Sequence, residues 1–104
     1  MTASINTHSI KLGDILYSTW GYDQTNVSFF EVVKVTRSTV SIRELKASIS
    51  ENGFMSGVSV PCKNNYHSNE ILVRRVRSSG SVRVWSFATA FLWDGDPVRC
   101  SWYA

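Results

Sequence analysis

Two cysteines, Cys62 and Cys100, and two histidines, His8 and His67, are the side chains of this chain best suited to nucleophilic, acid-base or metal chemistry. A thiol works with an imidazole only when the fold brings them within hydrogen-bond reach. His67 lies in a polar, asparagine-bearing run, residues 63–69, where a solvated imidazole is the ordinary outcome. Cys62, His67 and Cys100 lack the short paired spacings of a zinc site, so no metal and no cofactor is expected. Asp94-Gly95-Asp96 has the outline of a calcium loop, but the alternating oxygen ligands and the closing glutamate are missing and Pro97 follows at once. A turn is the expectation there. Enzymes need convergent acids, bases or nucleophiles, and no catalytic residue is assigned.

Recognition chemistry is better represented. Arg74, Arg75, Arg77 and Arg83 fall within ten positions, whereas the acidic residues are scattered. If residues 70–77 and 81–88 form a hairpin through Ser78-Ser79-Gly80, alternation puts Arg75 and Arg77 on one face and Arg74 on the other. With Arg83, and Lys34 or Arg43 nearby, such a face suits a nucleic-acid backbone, and Tyr22, Tyr66 or Trp85 suit stacking on bases. The alternative is a solvated sheet face whose arginines discourage edge pairing.

A second candidate is the polar and aromatic stretch that follows the first strand, holding Trp20, Gly21, Tyr22, Asp23, Gln24, Thr25 and Asn26. Trp20, Tyr22 and Asp23 would serve recognition, since tryptophan and tyrosine are favoured interface anchors. Asp, Gln, Thr and Asn in series also satisfy the backbone of a long connection. Both readings stand, with Trp20 expected at a surface or a loop-to-core joint.

The elements that position these residues read as strands. Residues 15–20 and 27–36 are β-branched and aromatic, and residues 40–45 alternate with a period of two after a tight connection at 37–39. Residues 46–57 read as a loop. A short strand at 58–60 is limited by Pro61, which cannot donate to a ladder. Residues 91–93 and 98–102 flank the Asp94–Pro97 turn as a final hairpin. The apolar set Ile15, Tyr17, Val27, Phe29, Val33, Val35, Val40, Ile42, Val73, Val82, Val84, Phe91 and Val98 supplies one small core. Seven to eight short strands without an amphipathic helix predict an all-β fold, a small antiparallel SH3-like β-barrel or a compact sandwich.

At 104 residues the chain suits one domain, residues 11–104, preceded by a flexible arm at 1–10. Hydrophobic residues make up 43% and charged residues 18%, a balance that excludes a disordered chain. The net charge of +3 favours phosphate or acidic surfaces without demanding them. Few cysteines, no leader pattern and no apolar run of about 20 residues point to a cytoplasmic protein with free thiols and no membrane span.

The run from Gly13 to Val33, GDILYSTWGYDQTNVSFFEVV, together with Leu92-Trp93-Asp94-Gly95-Asp96-Pro97-Val98 and the closing Ser101-Trp102-Tyr103-Ala104, resembles a family of small uncharacterised proteins of phages and mobile elements. The resemblance covers roughly residues 11–45 and 85–104 and brings no activity or site residue with it. It implies a phage or mobile-element accessory protein in a bacterial cytoplasm, and the missing catalytic set makes a non-catalytic binding module the expectation. Its partner would be nucleic acid, or a host defence complex such as a CRISPR or restriction nuclease that it inhibits.

Overall fold

The computed structural model describes residues 10–21, 24–53 and 55–101. Its strands are β1 Ile15–Trp20, β2 Asn26–Val35, β3 Thr39–Gly53, β4 Ser56–Arg75, β5 Val82–Trp85, β6 Ala88–Leu92 and β7 Val98–Ser101. They form one antiparallel sheet in the order β5-β6-β1-β2-β3-β4-β7, the all-β architecture that the strand-rich sequence predicts. The hairpin between β2 and β3 is tight because the Thr36 N–H donates to the Thr39 carbonyl at 2.9 Å and the Thr36 hydroxyl accepts the Thr39 N–H at 3.0 Å.

Two contacts curl this sheet into a closed shape. A bridge between Val76 and Val82 joins the end of β4 to β5. Thr25 and Ser101 exchange backbone hydrogen bonds of 3.2 and 3.0 Å, which ties β7 to the start of β2. Leu16, Phe30, Val32, Val40, Ile42, Val82, Val84 and Ala90 fill the interior. Burying such aliphatic and aromatic side chains, at roughly 25 cal/mol per Å² of apolar surface, is the main force holding the sheet closed.

Several expectations are corrected. Ile10 belongs to the core rather than to an arm, at 1% exposure, while residues 1–9 lie outside the described residues. In β1 the fully buried phase is Leu16 and Ser18, while Ile15 and Tyr17 are half-buried on the opposite face, where Tyr17 pairs with the buried Phe29. Val73 and Phe91 are exposed rather than core. Residues 46–53 are strand, not loop, since their polar side chains stay in water while their backbone pairs with residues 56–61.

β4 continues through Pro61 but not evenly. Leu45 faces Tyr66 and Ala47 faces Pro61, so residues 62–65 and 67–70 bulge outward from the ladder, where a polar loop was expected. Residues 81–88 break at a turn over Ser86 and Phe87 into β5 and β6. The final hairpin does not form: β6 pairs with β1 and β7 with β4. The Asp94–Pro97 stretch is a turn all the same. Asp94 Oδ1 accepts the Asp96 N–H at 3.0 Å, and the Trp93 indole donates to the Asp96 carbonyl at 2.7 Å.

Candidate functional site

The arginines are sorted by strand phase. Val76, Val82 and Val84 point inward, which turns Arg75, Arg77 and Arg83 out to solvent. The Val76–Val82 bridge, continued by the Arg77 N–H bond to the Ser81 carbonyl at 2.9 Å, sets Arg75 directly opposite Arg83. Thr39, the β3 partner of Arg75, and Thr89, the β6 partner of Arg83, complete the row. No acidic residue stands in it. The side chains of Arg75, Arg77 and Arg83 make no hydrogen bond or ion pair among the described residues. An open hollow of about 520 Å³ lies beside them, lined by Ser38, Arg75, Val76, Arg77 and Ser78.

Arg74 behaves differently. Its guanidinium donates to the carbonyls of Val84 at 3.1 Å and Val73 at 3.0 Å, lacing β4 to β5 where the ladder is thinnest. Arg43 is also committed: it donates to Ser68 O and Asn69 Oδ1, at 2.9 and 2.7 Å, and its guanidinium lies 3.8 Å over the Tyr66 ring. Tyr66 in turn donates to Glu31 Oε1 at 2.5 Å. One face of that ring is covered by a cation, and its hydroxyl is pinned. The hydrogen bond to Glu31 favours the neutral phenol and raises the Tyr66 pKa, with burial and the Glu31 charge adding to it.

The structure gathers Trp20 and Trp85, both named from sequence, with Phe87, which the sequence reading missed. Phe87 is 62% exposed on the turn after β5. It stacks on Trp85, with centroids 5.4 Å apart and planes at 26°, and meets Trp20 edge-on at 5.2 Å. Trp85 packs in turn against Phe30 of the core. The signal was the turn composition at Ser86 and Phe87, masked by a β-rich run on both sides. Trp20 is the half-buried backing of this cluster, and its indole donates to the buried Ser28 hydroxyl at 3.0 Å. It is the loop-to-core joint.

The polar stretch after Trp20 is tied down by hydrogen bonds where it is described. Thr25 holds Ser101, and Gln24 Nε2 reaches Asn26 Oδ1 at 3.4 Å. Gly21 has φ +129°, and a Cβ there would run into the Gln24 carbonyl, so only glycine closes this bend. Tyr22 and Asp23 lie outside the described residues.

The remaining candidates are dispersed. His67 Nδ1 lies 4.0 Å from Glu44 Oε1, a contact available as an ion pair only to the protonated imidazole. Burial raises the Glu44 pKa against the opposing pull of His67. Cys62 and Cys100 are free thiols, half-buried and buried, and burial pushes the Cys100 thiol up. The described residues hold no group of three metal-ligating side chains and no helix long and apolar enough to cross a membrane. A groove of about 310 Å³ opens among Trp20, Asn26, Val27, Ile49, Ser59 and Cys100, and the Ser59 hydroxyl that lines it is buried with no hydrogen-bond partner.

Set against protein-family models, curated proteins and solved structures, the chain finds no match.

Proposed function

We propose that this chain is a non-catalytic binding module of a phage or mobile element, and that it contacts nucleic acid through Arg75, Arg77 and Arg83. The carrying observation is the Arg75–Arg83 pair. Like charges placed directly opposite on neighbouring strands cost the fold stability, and no acid among the described residues relieves this pair. A phosphate backbone supplies the missing negative charge. Phe87 lies four residues beyond Arg83 in sequence and packs on two tryptophans, and in this reading it receives a base while the arginines hold phosphates. Fluorescence anisotropy with labelled oligonucleotides tests the reading. Arg75→Ala with Arg83→Ala should weaken binding and reduce the salt slope by about 1 to 2, whereas Arg74→Ala should leave the slope alone. Binding indifferent to both outward arginines rejects it.

A second reading rests on the exposure of Phe87. Aromatics backed by a rigid shell anchor protein interfaces, and an inhibitor of a host CRISPR or restriction nuclease would use the Trp20, Trp85 and Phe87 cluster, with Tyr22 and Asp23 beside it in sequence. Phe87→Ala would then abolish nuclease inhibition in a purified assay while the arginine variants retained it. Nuclease activity undiminished by the intact protein excludes this reading.

A further inference from the structure

Strand phase continues the arginine row into an aromatic one. Ala88 and Ala90 of β6 point into the core, which turns Thr89 and Phe91 outward. Thr89 is the partner of Arg83, so Arg83 and Phe91 are diagonal neighbours on one face, about 7–8 Å apart and within reach of long and aromatic side chains. Phe91 stands opposite Tyr17 of β1, with ring centroids 6.3 Å apart and planes at 47°. Tyr17 is in turn opposite Phe29, which is fully buried and meets Trp93 edge-on at 5.9 Å. On β2 the same face carries Glu31, opposite Ile15, and Tyr66 holds it by a hydrogen bond. The outer face thus sets the guanidinium groups of Arg75 and Arg83 beside an aromatic layer, with Phe91 50% exposed at its margin. A lone exposed phenylalanine is ordinary. One placed diagonally from an arginine and backed by packed rings can receive a flat group that carries negative charge next to it.

We propose that the polynucleotide bound by this face is single-stranded, and that Phe91, with Tyr17 beside it, stacks on one of its bases while Arg83 and Arg75 hold the adjacent phosphates. This inference rests on the nucleic-acid reading above and narrows it to one class of ligand. Phosphate complements guanidinium, a base ring complements phenyl, and a single nucleotide is long enough to touch both. A paired base cannot make the second contact, because a duplex hides its ring faces in the stack and shows a protein only base edges and backbone. Stacking of this kind tolerates any sequence, since every base has a π-face. Single strands of DNA and of RNA share the required chemistry. Phe87, on the turn that joins β5 to β6, takes a different base.

Fluorescence anisotropy with the full chain tests this, comparing labelled oligothymidylate, oligouridylate and a hairpin duplex of equal charge. Both single strands are expected to bind at least about tenfold tighter than the duplex. Phe91→Ala should weaken single-strand binding by about 5- to 150-fold, the contribution of one stacked base, and leave the salt slope unchanged. Phe91→Trp should keep or tighten binding. Phe91→Leu, which preserves apolar bulk without an aromatic face, should weaken it as alanine does. An abasic sugar-phosphate oligomer should bind the parent chain and Phe91→Ala equally. Far-ultraviolet circular dichroism checks that each variant keeps its strands. Duplex bound as tightly as single strand, a silent Phe91→Ala, or Phe91→Leu that binds like the parent overturns the stacking inference. The nucleic-acid reading survives any of these three results if the arginine variants still lower affinity and salt slope. No binding to any oligonucleotide overturns both.

Discussion

At the scale of single residues, neighbours on this sheet are assigned opposite tasks by one step of strand phase. Arg74 and Arg75 are adjacent in sequence, yet Arg74 spends its donors on the carbonyls of Val84 and Val73 while Arg75 faces Arg83 in water. Arg74→Ala should therefore lower stability by about 1–3 kcal/mol, leaving a carbonyl unpaired at the seam. Arg75→Ala should raise it by about 0.2–1 kcal/mol at low ionic strength, an increment that shrinks as salt screens the repulsion. Urea unfolding at two salt concentrations separates the two. Tyr66 gives a pH signature. Its folded pKa is raised, so the hydrogen bond to Glu31 contributes fully below the ordinary phenol range and is lost as pH rises through the raised value. A spectrophotometric phenol titration should show a late component that Tyr66→Phe removes, and Glu31→Gln should move it back towards the ordinary range. A titration with no late phenol would remove Glu31 from this role.

At the scale of elements, the β3–β4 arm depends on a residue without a side chain. Gly57 pairs with Glu51 on one side and Cys100 on the other, and a Cβ there would collide with the Ser50 carbonyl. Gly57→Ala should cost about 1–3 kcal/mol, measured by thermal unfolding, because a backbone atom must shift to admit the methyl group. This arm is also where the sequence was least legible. Residues 15–20 and 27–36 carry β-branched and aromatic runs, and their strands match to within a residue at each end. Residues 46–53 are a strand with eight exposed positions, so they lack the apolar alternation on which period-two reading depends. The bulges in β4 are hidden for a related reason: the register jump is fixed by Tyr66, whose partners Glu31 and Arg43 lie on β2 and β3. The arginine cluster and its split by face were legible from alternation alone. Phe87 was not, because its exposure comes from a turn buried inside a β-forming run.

At the scale of the whole molecule, one sheet is closed in two places by contacts of different kinds. The Val76–Val82 bridge sits over the apolar core and is reinforced by Arg74, whereas the Thr25–Ser101 exchange involves an exposed threonine at the rim. Local opening free energies follow buried apolar contacts, so the rim closure should release first. Cys100 reports that event. It lies on β7 one residue before Ser101, buried, with its thiol pushed up by burial and therefore less able to form the reactive thiolate. In a Cys62→Ser background, disulfide-exchange labelling of Cys100 should run at least ~10-fold slower than in the urea-unfolded chain, because reaction waits for β7 to lift. A second substitution, Ser101→Pro, removes the N–H that Thr25 accepts and should accelerate labelling sharply. Arg74→Ala, acting on the other closure, should accelerate it far less. Equal acceleration by the two variants would mean that the closures open as a single unit, and that the sheet unfolds as a whole rather than from the β7 rim.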